Sequence, residues 1–359
     1  MSIHFHPLRI EEVKKETASC VSVLFEIPED KKEIFSFKQG QSLTMRATIN
    51  GEEVRRTYSI CSSPLDNEWR VAIKKVEGGL FSTFANEQLK KDDVLEVMEP
   101  VGKFYTELNH LYKKNYLAFA AGSGITPVLS IIKTTLRTEL HSAFTLVYGN
   151  RSRPSIIFFE ELEGLKNKFL DRFNFINILS RERTDAPVNS GRINTEKLNE
   201  LSKLIGYSSF DETFICGPEE MIFCVKDFLE QKGMDKKRIH FELFTTTGVK
   251  KSGVRSQKSG ENTGSKSNVT VKSDGRSFDF ELSLTSDITI LDAALKQGAD
   301  LPFACKGGVC CTCKARLLEG EVSMDVHWGL EEEEVEQGYI LTCQSHPKTE
   351  KIVVDFDVK

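Results

Sequence analysis

Four cysteines near the C-terminus carry the most specific chemistry in the chain. Cys305, Cys310 and Cys313 lie in the run Cys305-Lys306-Gly307-Gly308-Val309-Cys310-Cys311-Thr312-Cys313, and Cys343 follows in Leu341-Thr342-Cys343-Gln344. The spacing is C-x4-C-x2-C, then a long gap and a fourth cysteine, the plant-type thiolate pattern for a [2Fe–2S] cluster. Three thiolates on one loop reach two irons only if the loop curls around them. Gly307 and Gly308 supply the backbone freedom for that curl and let N–H groups approach sulfur. A zinc site or a disulfide pair is the alternative, but zinc sites favour two short C-x2-C hooks. Cys311 falls outside the spacing and reads as a small buried filler.

A second set of residues suits flat heterocycles and phosphates. Arg55-Arg56-Thr57-Tyr58-Ser59-Ile60 contains R-x-Y-S, and strand alternation puts Arg56 and Tyr58 on one face. An arginine fork suits a pyrophosphate and a tyrosine ring suits stacking, while Ser59 can hydrogen-bond a ring nitrogen. The bland reading is a surface arginine beside a core tyrosine. Gly78-Gly79-Leu80-Phe81-Ser82-Thr83 places glycines at a helix start, where free N–H groups meet an anion. Alone it would read as a turn and helix cap. Gly122-Ser123-Gly124-Ile125-Thr126-Pro127 lies between an apolar run and a helical stretch and lacks the third glycine of the dinucleotide fingerprint. Cys216-Gly217-Pro218 ends a later strand of the same pattern. Ligands of open α/β sheets collect at the carboxyl ends of strands, so both turns point at one crevice.

These segments need a scaffold. Residues 1–110 alternate as half-buried strands, among them 20–25 and 42–47, with turns at Gly40, Asn50-Gly51 and Gly78-Gly79, and predict a small antiparallel barrel. Residues 111–245 alternate strand and helix, with helices from about 127 to 139, 159 to 169, 195 to 203 and 218 to 231, and predict a doubly wound α/β domain. Residues 246–267 are Gly, Ser, Lys, Thr and Asn with almost no apolar content and read as a flexible linker. Strands return over 268–359, with a short helix near 289–297 before the cluster loop. The run Glu331 to Glu334 reads as a solvated helix start.

Taken together, R-x-Y-S at 56–59, GG-x-x-S-T at 78–83, GSGITP at 122–127 and CGP at 216–218 resemble the ferredoxin–NADP reductase family of flavoproteins, here followed by a plant-type ferredoxin. The whole looks like an oxygenase reductase component. The resemblance implies a multidomain fold: an antiparallel β-barrel FAD domain, a doubly wound α/β NADP domain and an α+β, β-grasp-like ferredoxin domain. It implies that Arg56 holds the FAD pyrophosphate, that Tyr58 stacks on the isoalloxazine with Ser59 near its N5, and that Gly79, Ser82 and Thr83 complete the FAD phosphate site. Gly122, Gly124 and Thr126, with Cys216, Gly217 and Pro218, would cradle the nicotinamide dinucleotide, Cys216 by the ring and Glu242 by the flavin edge. Arg151, Arg181 and Arg192 follow strands or enter the next element. The trio resembles NADPH-selective members, so NADPH is expected over NADH; scattered surface arginines are the alternative. Electrons would pass from NADPH through FAD and the [2Fe–2S] cluster to a separate diiron oxygenase, with one acting on an aromatic acyl-CoA as the first expectation. The alternative is the reductase of another Rieske or diiron oxygenase, such as a steroid or ring hydroxylase. A non-enzymatic iron–sulfur sensor with an inert flavoprotein part is disfavoured by the intact motifs.

Composition narrows the setting. The 359 residues, 39% of them hydrophobic, suffice for two or three domains with real cores. The N-terminal dozen has no signal-peptide layout, and no apolar stretch approaches membrane-spanning length. Of nine cysteines, the five outside the cluster set (Cys20, Cys61, Cys216, Cys224 and Cys311) show no paired disulfide spacing, and a reducing, cytoplasmic setting fits both them and the cluster. The net charge of −5 is uneven: residues 268–359 carry nine Lys and Arg against seventeen Asp and Glu. An acidic terminal domain argues against a nucleic-acid partner and suits docking on something basic.

Overall fold

The computed structural model describes residues 4–244 and 266–358. The expected linker falls almost wholly outside the described residues; only residues 266 and 267 are seen, and they open a strand. Residues 5–244 form one compact unit, and the ferredoxin-like segment belongs to a second.

The first unit begins with six strands: β1 (Phe5–Thr17), β2 (Cys20–Glu26), β3 (Ser42–Ile49), β4 (Glu52–Ser59), β5 (Trp69–Lys74) and β6 (Val94–Met98). They form an antiparallel sheet in the order β4-β3-β6-β1-β2-β5. A bridge between Ile60 and Val71 joins the two edges into a barrel. The Asn50-Gly51 turn that links β3 to β4 holds both residues at positive φ, 54° and 84°, the backbone that a two-residue hairpin needs. Leu8, Ile10, Val23, Leu43, Met45 and Val71 fill the interior with no exposed surface. Helix α1 (Leu80–Glu87) closes one end, burying Phe81 and Ala85.

Five parallel strands follow: β7 (Asn115–Ala121), β8 (Ala143–Asn150), β9 (Phe173–Leu179), β10 (Glu212–Gly217) and β11 (Ile239–Leu243), ordered β11-β10-β7-β8-β9. They alternate with α2 (Ile125–Thr138), α3 (Phe159–Lys168), α4 (Thr195–Leu201) and α5 (Glu219–Gln231). Strand order reverses between β7 and β10, which makes that pair the switch point where such sheets bind ligands. Helix α2 is buried almost all round. Ile125, Val128, Leu129, Ile132 and Leu136 share a core with Tyr116 and Ala118 of the sheet and with Cys20, Cys61 and Ala72 of the barrel. Each such side chain contributes about 1.5–3 kcal/mol by leaving water. The barrel and the α/β sheet thus share a core, and Lys133 strengthens the contact by reaching Asp66 and Glu161 at 2.7 and 2.8 Å.

The second unit holds β12 (Lys266–Ser273), β13 (Arg276–Ser283), α6 (Ile290–Lys296), β14 (Lys314–Glu319), β15 (Val322–Met324), α7 (Glu332–Glu336), β16 (Tyr339–Leu341), β17 (Ser345–Pro347) and β18 (Lys351–Asp355). Its mixed sheet, β13-β12-β18-β14-β16, has a parallel β12–β18 pair at its heart, and Ile290, Leu291 and Ala294 of α6 join its core. Glu331 caps α7, so the acidic run is the helix start expected of it. Among the described residues no helix is long and apolar enough to cross a membrane.

Candidate functional site

The crevice site is built at the switch point. β7 runs into the turn Gly122–Gly124, and β10 runs into Gly217 and Pro218 at the N-terminus of α5. The two turns touch: a Cβ on Gly124 would lie 2.1 Å from the Cys216 carbonyl oxygen, so only glycine fits there. Gly122 has φ +54°, and its carbonyl accepts from the buried Tyr148 hydroxyl at 2.8 Å. Thr126 is buried and its hydroxyl donates to Ser123 O at 3.0 Å, so its side chain braces the turn. Gly217 is hemmed by Met221 and Ala121.

Ser59, Cys216 and Glu242 come together although they come from different elements. Cys216 pairs in register with Glu242, and the Ser59 hydroxyl donates to Glu242 Oε2 at 3.1 Å across the shared core. Glu242 keeps a little exposed surface, but protein surrounds its carboxyl. That desolvation pushes its pKa up to about 7, opposed in part by the Ser59 hydroxyl. Burial first, and then the Glu242 charge, push the Cys216 thiol well above its ordinary value.

On the barrel, Arg56 is exposed on β4, with Nη1 donating to Arg55 O at 2.7 Å. Tyr58 is half-buried, its ring 5.7 Å from Phe81 and tilted to it. Gly79 caps α1 without a side chain, leaving the first-turn N–H groups to whatever approaches. A Cβ on Gly79 would meet Ser82 Oγ at 2.6 Å. Ser82 is itself buried; its hydroxyl takes the Val76 N–H at 3.1 Å and donates to Gly79 O at 3.2 Å, so it shapes the turn from inside. Thr83 is half-buried, and its N–H donates to Gly79 O at 3.0 Å.

The arginines gather at the far end of the same sheet edge. Arg181 N–H donates to Arg151 O at 2.8 Å, and Ser190 bridges to Leu179 just before Arg192. All three arginines are exposed, and none makes an ion pair among the described residues. One further cation has no counterpart in the motifs. Lys74, at the end of β5, has its ammonium 3.2 Å from where a Cβ on Gly122 would sit. Burial, and then the charge of Arg151, hold its pKa below the usual value. Its only sequence signal is its place between the apolar run 71–73 and Gly78-Gly79, at the barrel rim.

The cysteine site lies wholly within the second unit. Left-handed backbone falls on Lys306 (φ 50°) and Gly308 (φ 76°), which curl the loop. The Gly307 N–H lies 3.3 Å from Cys305 Sγ and the Cys305 N–H 3.5 Å from Cys310 Sγ. Among the described residues no three His, Cys, Asp or Glu side chains close on one point as ligands of a single metal ion would. The thiols associate two and two. Cys310 lowers the Cys305 thiol, helped by backbone N–H groups of Gly307, Val309 and Cys310. Cys313 lowers Cys343, helped by Gln344 and the Gly308 N–H. Two pairs of sulfurs with amide donors fit a dinuclear iron–sulfur cluster, which takes two thiolates per iron, better than zinc. All nine cysteines are free, so no disulfide competes. Cys311 departs from expectation in degree: it is half-buried, packed against the domain core, with φ +55° and its sulfur beside the Gly329 carbonyl.

Known proteins place this geometry. Residues 7–105 match the family described as oxidoreductase FAD-binding domain, 119–227 the oxidoreductase NAD-binding domain, and 271–348 the 2Fe-2S iron-sulfur cluster binding domain. The chain is 46% identical over 357 residues, 99% of this chain and 98% of the relative, to one of the subunits of 1,2-phenylacetyl-CoA epoxidase from Escherichia coli strain K12. The chain belongs to the reductase components of multicomponent oxygenases. A second relative is the ferredoxin reductase component of 3-ketosteroid-9-alpha-monooxygenase from Rhodococcus rhodochrous, 33% identical over 97% of the reductase and 96% of that protein. Phthalate dioxygenase reductase, a solved structure described as modular for electron transfer from pyridine nucleotides to [2Fe-2S], shares the fold with a TM-score of 0.60, 22% identity and 98% coverage of both chains. The reductase is thus an oxidoreductase with FAD-, NAD- and [2Fe–2S]-binding domains and an oxygenase for its partner.

Proposed function

We propose that the reductase takes electrons from NADPH and delivers them to a diiron oxygenase of the phenylacetyl-CoA epoxidase type. The observation that carries this reading is 46% identity sustained over 99% of the chain, through all three domains and not one cofactor site alone. The 33% identity to a steroid monooxygenase component supports a second reading, a steroid oxygenase as acceptor.

The residues divide the work. Arg56, Tyr58 and the open N-terminus of α1 at Gly79 and Thr83 would hold FAD, with Ser82 shaping the turn. Gly122 and Gly124, braced by Thr126, with Gly217 and Pro218 would take the dinucleotide, and Arg151, Arg181 and Arg192 its 2′-phosphate. Cys305, Cys310, Cys313 and Cys343 would hold the cluster. When bound, FAD supplies the change from hydride to single-electron transfer and the cluster supplies one-electron carriage. Glu242, with a pKa about 7, can hold or release a proton at its carboxyl near neutrality while the Ser59 hydroxyl keeps it in place. Cys216 stays a neutral thiol and keeps water from the strand end. The acidic ferredoxin domain favours a basic patch on the oxygenase.

The test is reconstitution of the reductase with the purified epoxidase components of its host, phenylacetyl-CoA and NADPH. Product should form in step with NADPH oxidation. Turnover with a 3-ketosteroid oxygenase and none with the epoxidase would move the assignment to the second reading.

A further inference from the structure

Between Leu179 and Ile193 the chain leaves the edge of the α/β sheet, carries Arg181 at its start and Arg192 at its end, and returns. The two arginines can act on one phosphate only if this excursion keeps them at a set distance. The exposed arginines do not hold each other, so something beneath them must.

That support is Lys197. Its backbone N–H donates to the capping Asn194 Oδ1 at 3.0 Å, which starts α4. Its side chain runs back under the loop and is only 6% exposed. There the ammonium donates to Val188 O at 2.9 Å, to Pro187 O at 3.3 Å and to the carboxylate of Glu200. An ammonium has three N–H donors, and all three are used. A lysine this deeply buried is uncommon unless paired, and it has no path to a ligand of its own. The rest of the excursion is locked to the same base. Ser190 N–H donates to Pro187 O at 3.0 Å, Thr184 and Ser190 hydroxyls lie 2.8 Å apart, and Gly191 N–H donates to Leu179 O at 2.9 Å. Gly191 has φ +110°, and a Cβ there would sit 3.8 Å from the Lys197 stem. Past Arg192, Ile193 is buried against Gly149, two residues before Arg151. The chain between Arg181 and Arg192 is therefore pinned at its middle by one buried cation, and at its far end by one apolar side chain.

We infer that Lys197 is a positioning residue for coenzyme selectivity: it holds the Pro187–Val188 turn so that Arg181 and Arg192 converge on a 2′-phosphate, without touching the coenzyme. This rests on the arginine trio as the 2′-phosphate site. Removing the ammonium leaves the Val188 carbonyl without its donor and the Pro187 carbonyl with the Ser190 N–H alone, and the turn is held less firmly. The phosphate cradle at Gly122 and Gly124 lies on other elements and stays as it was. Loss should therefore be confined to the 2′-phosphate.

The experiment is calorimetric binding of 2′,5′-ADP and of 5′-AMP to the full-length holoprotein, wild type and Lys197→Met. The wild type should prefer 2′,5′-ADP. In the variant the Kd for 2′,5′-ADP should rise about tenfold, the size of one lost charge-assisted contact, while that for 5′-AMP changes less than about twofold. Glu200→Gln is the second variant, since it leaves an acceptor oxygen for the ammonium and keeps the stem in place if Lys197→Met fails to fold. It should shift 2′,5′-ADP in the same direction by about two- to threefold. A wild type without preference would overturn the arginine assignment, and this inference with it. A preference that survives both variants, or equal weakening of both nucleotides, would overturn the role of Lys197 alone.

Discussion

Cys216 in the α/β sheet and Cys343 in the ferredoxin domain are both buried, at 0% and 4% exposure, yet their thiols move in opposite directions. At Cys216, burial acts with the nearby Glu242 and no donor opposes them, so the thiol stays protonated. At Cys343 burial is overcome by the Cys313 thiol, aided by the Gln344 amide and the Gly308 N–H, and the thiol moves down while that of Cys313 moves up. Depth alone does not make a cysteine a ligand. What surrounds the sulfur matters as well: Cys343 and Cys305 each face a second thiol and backbone N–H groups, and Cys216 faces neither. The comparison separates two regions, a crevice half of close-packed turns in one unit and a ligand half with amide donors around four cysteines in the other.

The largest effect should come from breaking the ligand half. Serine at Cys305, Cys310, Cys313 or Cys343 should abolish the iron–sulfur absorbance of the purified protein, while serine at Cys311 should leave it. Bleaching in the Cys311 variant and not in the others would mean that donors and spacing had been misjudged together.

The crevice half should break sterically. Gly124→Ala forces a Cβ to 2.1 Å from a backbone oxygen, and the strand ends cannot give way cheaply. We expect about 3–5 kcal/mol of lost stability in denaturant unfolding, in the exceptional range for a single change.

Next in size is the pH dependence carried by Glu242. Its folded pKa, about 7, lies above the ordinary carboxyl value, so between those two values the folded state holds a proton that the unfolded state has released. Stability from this group is fully present below the unfolded pKa and falls as pH rises through about 7. The fall should be on the order of 2–3 kcal/mol between about pH 5 and 8 and should shrink in Glu242→Gln. Parallel stability curves for the two proteins would show that Glu242 titrates normally.

Arg56→Ala should weaken FAD by about 1.5–3 kcal/mol, seen as flavin lost on gel filtration. Undiminished flavin would remove Arg56 from the site.

The two halves also differ in how far they can be read before folding. The cluster loop is one short continuous run, and its spacing is itself the chemistry. The Asn50-Gly51 hairpin and the helix beginning at Glu331 are equally local and stand where patterns put them. The crevice is assembled from segments far apart: Ser59 and Glu242 are separated by 183 positions, and only the shared core of barrel and sheet brings them to 3.1 Å. Motifs name its members but not their orientation. Ser82 and Thr126 read as site residues from the motifs, and the motifs do not reveal that each hydroxyl also bonds within its own turn. Lys74 escapes a reading by motif because its meaning comes from Gly122, on another domain's strand end. Cys311 is less buried than expected and takes a left-handed φ, neither of which composition reveals.

The smallest effect concerns docking. With seventeen acidic against nine basic residues in 268–359, oxygenase-coupled turnover should fall more steeply with salt than NADPH-to-ferricyanide turnover, which needs only the flavin. Superimposed salt curves would reduce the acidic surface to a solvated face.

The most direct test of a relay through both halves is the pair of rates in Cys305→Ser. NADPH-to-ferricyanide turnover should stay within about twofold of wild type, because its residues lie in the crevice and are untouched. Oxygenase-coupled turnover should disappear. Coupled turnover at the wild-type rate in a protein without cluster absorbance would contradict the relay.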